Sequence, residues 1–213
     1  MTIKDYFASY NIKITDEQEK QLYQYYEYLV DQNKVMNLTG ITEFDQVVIK
    51  HFIDSASIKR LDITLDGKKV VDVGTGAGFP GLVLAILYPN AKFTLVDSLR
   101  KRIDFLNRTI ELIGLKNVTC LHSRGEDFAK EVGQSFDIGV SRAVARIDKL
   151  IGYVLPLIKK NGIFVAYKGD FTNEECELGK KNLKKYNSII EKIDRFCLTK
   201  DDNKRSLVVI KRK

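Results

Sequence analysis

The chain has 213 residues, of which 44% are hydrophobic and 30% charged, with a formal net charge of +7. That length suits one substantial core, and the composition excludes a disordered or fibrous chain. The longest apolar stretches, such as Leu82 to Tyr88, fall far short of the ~20 residues that span a bilayer, and Lys4 and Asp5 stand where a signal peptide would be apolar, so a cytoplasmic protein without a membrane span is expected.

The first 66 residues read as a helical cap, with 7 Lys/Arg against 11 Asp/Glu. Thr15 and Gln18 form a capping-box pattern, and Leu22, Tyr25, Tyr26, Leu29, Asn33 and Met36 then recur at helical spacing. A second amphipathic helix is predicted from about Asp45 to Leu61, ending before Asp66-Gly67. From residue 67 to the end the chain reads as one Rossmann-like domain. Strands are predicted at Val70–Val73, Lys92–Asp97, Val118–His122, Phe136–Ser141 and Ile163–Tyr167. Helices alternate with them at about Pro80–Tyr88, Leu99–Ile113 and Ile147–Lys159. Such alternation implies parallel strands joined by right-handed crossovers, a doubly wound α/β sheet. After a helix through about 173–185, Ser188–Leu198 and Ser206–Lys211 are predicted to pair as an antiparallel hairpin on the sheet edge.

The basic surplus lies on this body and tail. Residues 67–170 hold 16 Lys/Arg against 10 Asp/Glu, and residues 171–213 hold 12 against 7. A phosphate-bearing partner fits that distribution, as does an ordinary solvated surface. Cys120, Cys176 and Cys197 show no paired spacing, and with His51 and His122 they form no ligand pattern, so free thiols and no metal are expected.

Four segments carry chemistry. Asp72-Val-Gly74-Thr-Gly76-Ala-Gly78-Phe79-Pro80-Gly81 follows a strand and opens a helix, where glycines permit a tight turn and close approach to a nucleotide. Phe79 breaks the strict dinucleotide fingerprint, which weakens the case for a pyrophosphate. Asp97, 19 residues beyond Gly78 at the next strand end, can accept both ribose hydroxyls of an adenosyl group. Ser123-Arg-Gly125-Glu126-Asp127 follows the third strand, and an acid there can receive an adenine amino group. Ser141-Arg142-Ala143 ends the fourth strand, and Arg142 can bind a carboxylate or a phosphate through its forked donors.

The glycine loop with Phe79-Pro80-Gly81, the Arg100-Lys101-Arg102 and Phe105-Leu106 segment, Ser141-Arg-Ala, and Asn37-Leu-Thr39 followed by His51-Phe-Ile-Asp54-Ser55 together resemble the bacterial small-subunit rRNA guanine-N7 methyltransferases. The resemblance runs from about Leu22 to Lys168. It departs at Gln32, where the family usually has tryptophan, and at Ser123-Arg-Gly-Glu, where Gly-Arg-Ala-Glu is usual. It implies a class I methyltransferase sheet, S-adenosyl-L-methionine as cofactor, and cofactor contact by Gly74, Phe79, Gly125, Glu126 and Arg142. The implied substrate is a guanine in a decoding-region loop of 16S rRNA, presented as RNA or within the small ribosomal subunit. Asn37 is expected beside the acceptor, and His51 and Asp54, three apart on one face of a cap helix, either border the pocket with it or serve on the helix surface or as caps. Arg100, Lys101, Arg102 and Lys168 are expected on the RNA backbone, and the enzyme is expected to act as a monomer.

Guanine N7 is a free lone pair, so no dedicated general base is expected. The alternatives are an oxidoreductase on the same sheet, a methyltransferase of another RNA or a small molecule, and a non-catalytic RNA-binding module. The glycine spacing argues against the first, and intact glycines with Asp97 argue against the last.

Overall fold

The structure, a computed structural model, describes residues 1–199 and 204–213. Helices α1 (Ile3–Ser9) and α2 (Asp16–Met36) both open with capping boxes, Thr2 with Asp5 and Thr15 with Gln18. Each box satisfies two of the N–H groups left over at a helix start. The Gln18 amide also donates to the carbonyls of Ile86 and Leu87, tying the start of α2 to the body. Leu22, Tyr25 and Leu29 form the buried stripe of α2, and Asn37 ends it at φ 50°.

The single helix expected over Asp45–Leu61 is broken. It consists of α3 (Phe44–Val47), a π-helical turn (Val48–Ile53), α4 (Asp54–Ala56) and a 3₁₀ turn (Ser57–Arg60). Val47, Val48, Phe52 and Ile53 are all buried. A regular α-helix would turn part of that β-branched run toward solvent, and the wider turn lets both shoulders of the apolar face reach the core.

The body is a seven-stranded sheet of order β3-β2-β1-β4-β5-β7-β6. Its strands are β1 (Lys69–Val73), β2 (Lys92–Asp97), β3 (Val118–His122), β4 (Phe136–Arg142), β5 (Ile158–Lys168), β6 (Ser188–Cys197) and β7 (Lys204–Arg212). The first five pair in parallel, and β7 lies antiparallel between β5 and β6. The mostly parallel class I methyltransferase sheet with an antiparallel edge hairpin is therefore what forms. Helices α5 (Gly81–Leu87), α6 (Arg100–Ile113), α7 (Gly125–Val132), α8 (Ile147–Val154) and α9 (Asn173–Lys185) cover it. β1 shows the two-sided burial: Val70 joins the core beneath α2, α5 and α6, while Val71 and Val73 join the core beneath α7, α8 and α9.

β5 differs from expectation. It begins at Ile158 rather than Ile163, and α8 stops at Val154 rather than running to Lys159. Pro156 lies in the 3₁₀ turn that follows, where it denies an α-helix its next N–H donor. Ile158 then pairs with Phe136, and a register shift follows before Ile138 pairs with Ile163.

The chain order reverses between β1 and β4. In open α/β sheets the crevice beyond the carboxyl ends of the strands at such a reversal is where ligands bind.

Candidate active site

The loop after β1 turns back over the sheet. Gly74 and Thr75 both donate to the Val96 carbonyl, at 2.8 and 3.1 Å, and Gly76 donates to Asp97 Oδ2 at 2.9 Å. Gly74 has φ 73°, and a Cβ there would lie 2.4 Å from a Val144 methyl. Gly76 has φ 62° with open space where its Cβ would be, so the bare backbone faces the crevice. Beneath the loop, fully buried Asp72 accepts from Thr75 Oγ1 and Gly81 N through Oδ2, and its Oδ1 has no partner. Burial pushes the Asp72 carboxyl up to about 6 against those two hydrogen bonds.

The crevice is a cavity of about 430 Å³ lined by Gly74, Gly76, Phe79, Asp97, Arg102 and Arg142, among others. Its size suits a nucleoside-sized ligand. Asp97 is buried and also accepts from Leu99 N at 2.9 Å, so two backbone amides hold its carboxylate at the floor. Arg102 turns inward to face Asp97 Oδ2 at 3.4 Å, which places it in this cavity rather than on the outer surface with Arg100 and Lys101. Those two are exposed at the start of α6. Gly78 packs under the cap, since a Cβ there would meet the Tyr25 hydroxyl at 2.8 Å. Gly125 and Glu126 open α7, beside the cavity but outside its lining. Ser123 N donates to the Asp97 carbonyl at 3.1 Å and so ties the loop after β3 to the end of β2.

A second cavity, about 320 Å³, is lined by Lys50, His51, Asp54, Arg142, Lys168 and Arg205, among others. The two cavities share His51, Arg142 and Ala143. Phe79 supports both His51, whose ring stacks at 4.5 Å, and the Arg142 guanidinium, 4.9 Å from the Phe79 centroid. His51 Nε2 shares a 2.8 Å hydrogen bond with the Thr39 hydroxyl, and Nδ1 lies 3.1 Å from the Lys50 carbonyl. Burial, reinforced by the Arg142 charge, pulls its pKa down from 6.5 to about 3, so the ring is neutral. Asp54, which the sequence places beside the acceptor, is buried as the shared partner of Arg142 at 3.0 Å and Arg205 at 3.1 Å. Lys168 lines the second cavity while paired with Glu175 at 2.7 Å. Asn37 is exposed, caps α2 and lines neither cavity, although Leu38 and Thr39 after it line the first.

Sequence reasoning missed Arg205, Lys50, Tyr167 and Phe196 as lining residues of the second cavity. Arg205 directly precedes the predicted strand Ser206–Lys211, but nothing local indicates that β7 inserts beside β5 and so faces Asp54. Ala143, the third residue of the strand-end motif, lies where both cavities meet, and its φ of 56° has no signal in the sequence.

A family model described as rRNA small subunit methyltransferase G matches residues 18–208. A protein of that name from Clostridium botulinum (strain ATCC 19397 / Type A) is 41% identical over 95% of this chain and 85% of its own length. One from Oceanobacillus iheyensis is 40% identical over 95% of this chain and 86% of its own. Among solved structures, M. jannaschii TYW2 in complex with AdoMet matches with a TM-score of 0.57 at 17% identity, covering 75% of this chain and 74% of that one. A putative rRNA-methylase from Clostridium thermocellum matches at 0.54 and 20%, covering 76% and 94%. The two structures show the fold, and the sequence matches show the family: the chain belongs to the rRNA small subunit methyltransferase G family.

Proposed function

We propose that the chain transfers a methyl group from S-adenosyl-L-methionine to N7 of a guanine in 16S rRNA, in a decoding-region loop, acting on RNA or on the small ribosomal subunit. The observation that carries this reading is the pair of cavities meeting at His51, Arg142 and Ala143, one built for a nucleoside and the other basic. Family membership supplies the class of reaction, and the resemblance at Asn37-Leu-Thr39, His51-Phe-Ile-Asp54 and Ser141-Arg-Ala supports the N7 position.

The first cavity fits S-adenosylmethionine: Asp97 suits the ribose hydroxyls, the bare Gly74–Gly76 backbone admits close approach, and Glu126, at the start of α7 outside the lining, is the acid proposed for the adenine amino group. When bound, the cofactor supplies an electrophilic methyl group. Arg142 cannot wander, because Asp54, the Lys50 carbonyl and the Phe79 ring hold it between the two cavities. Lys50, Lys168 and Arg205 give the acceptor cavity the cations that a nucleotide phosphate requires. His51 is neutral with both nitrogens engaged, which makes it a wall and not a base. A neutral N7 lone pair needs no proton removed, so rate enhancement comes from alignment, worth up to roughly 7–11 kcal/mol in well-oriented systems. Duplex RNA hides N7 in a narrow groove, so the guanine must come from a loop or flip outward.

The same reading has the cap (1–66) and body (67–213) act as one monomeric cytoplasmic unit without a metal. A core shared by Phe7, Leu22, Phe52, Leu84 and Leu106 supports the single unit. The test is transfer of labelled methyl from S-adenosylmethionine to small subunits lacking the modification, followed by nucleoside analysis. Label in 7-methylguanosine establishes the reading, and label in any other nucleoside, or none, defeats it.

A further inference from the structure

At the end of the sheet opposite the active site, the amino ends of the parallel strands present a fringe of lysines. Lys69 and Lys92 are register partners on β1 and β2, and Lys116 leads into β3. These three line a cavity of about 620 Å³, larger than either cavity of the active site, with no carboxylate in its lining. Lys68 continues the fringe into a neighbouring groove with Lys160. All five are exposed, and none makes an ion pair among the described residues. Of the nearby carboxylates, Asp137 is taken by Lys159 at 2.8 Å and by the Lys69 amide at 2.8 Å and also feels the Lys68 charge, Asp66 faces Lys59 and Tyr88, and Glu17 lines a separate groove with Lys116 without pairing to it.

Like charges on directly paired strand positions repel, so Lys69 beside Lys92 weakens this end of the sheet, and neither lysine has an ion-pair partner among the described residues. We propose that this fringe is a second contact surface for RNA, in which Lys69, Lys92 and Lys116 bind backbone phosphates of the substrate about 16 Å, one five-residue strand, from the glycine loop. The chemistry favours RNA over a protein partner. Lysine is depleted at protein interfaces, which are anchored by aromatic residues, and no large exposed hydrophobic side chain belongs to this surface. Lysine is a point charge suited to phosphate, and contacts of this kind position nucleic acid without reading its sequence. The active site then needs only the short-range fit to the guanine, while the fringe holds RNA that passes around the body. This inference rests on the rRNA reading above.

The experiment compares the unsubstituted chain with a variant carrying Lys69→Gln, Lys92→Gln and Lys116→Gln, using small subunits as substrate over a range of salt. The expected result is a KM for the subunit raised about tenfold at low salt and a salt-dependence slope shallower by about 2 to 3, with kcat and S-adenosylmethionine affinity unchanged. An unchanged slope and KM overturn the proposal. A photoreactive amino acid in place of Lys92 supplies the second readout: crosslinks to rRNA support the surface, and crosslinks to ribosomal protein alone overturn it. Formation of 7-methylguanosine by the unsubstituted chain tests the function separately from this comparison.

Discussion

The hydroxyl of Tyr25, on cap helix α2, donates a hydrogen bond to the carbonyl of Ala77 in the glycine loop. The Tyr25 ring is fully buried between Phe52 at 5.5 Å and Phe79 at 5.6 Å, so the donor is fixed from both sides. The cap thus bonds directly to the glycine loop that lines the proposed cofactor cavity. Tyr25→Phe keeps both stacking contacts and leaves the Ala77 carbonyl buried without its donor, at a cost of about 1–3 kcal/mol. Much of that cost falls on the loop conformation. The expected outcome is a several-fold weaker affinity for S-adenosylmethionine, measured by calorimetry, with kcat and the KM for RNA little changed. Equal affinity in the two proteins would mean that the loop keeps its shape without the cap.

Asp97 has two functions in one carboxylate: it holds Gly76 N and Leu99 N, and its remaining capacity faces the cavity. Asp97→Asn removes the charge and puts a donor where acceptors are needed. Hydrogen bonds to charged groups contribute about 1.5–3 kcal/mol each, so S-adenosylmethionine affinity should fall by at least tenfold. Equilibrium dialysis checks this, and the unfolding midpoint separates a binding loss from collapse of the loop.

How far the sequence reached is visible in Asp97 and Arg205. The position of Asp97 in the crevice was legible because it follows from local spacing: a glycine loop, a helix and a strand end in a known topology. Arg205 was not, because its function depends on β7 entering the sheet beside β5, a pairing between residues distant in the chain. Asp54, expected at the acceptor, lines the second cavity, yet its burial between two guanidiniums cannot be read from a helical pattern. The π-helical turn that aims it was equally hidden, since periodicity alone reads a β-branched amphipathic segment as a regular helix.

The Asp54 carboxylate bridges Arg142 of β4 and Arg205 of β7, joining three parts of the chain at one point. All three side chains are mostly buried, so Asp54→Ala leaves two cations facing each other with little solvent to screen them. Breaking a buried pair in this way costs about 3–5 kcal/mol. For a chain of this size that lowers the melting temperature by about 6–20 °C. Methyl transfer should fall with it, because Arg142 loses the group that fixes it between the cavities. Calorimetry and the methylation assay check the two effects, and a melting temperature within 2 °C of the parent would refute the prediction.

His51 and Asp72 make opposite contributions to stability as pH falls. His51 has its pKa drawn down from 6.5 to about 3, chiefly by burial, so the unfolded chain binds the proton more readily throughout that window. Its contribution is present above pH 6.5 and is lost as pH falls toward 3, by at most about 1.4 kcal/mol for each pH unit. Asp72 is raised from 3.8 to about 6, again chiefly by burial, so the folded chain holds the proton more tightly and stability grows as pH falls from 6 toward 3.8. Between about pH 4 and 6 the two slopes oppose each other in the unsubstituted chain. His51→Gln removes one of them. The stability difference between parent and variant, from urea midpoints at a series of pH values, should therefore move steadily in the variant's favour as pH drops from 6.5 to 4. A difference constant over that range would show that His51 becomes protonated in the folded protein near its ordinary pKa, and that the ring is then a cation beside Arg142 rather than a neutral wall.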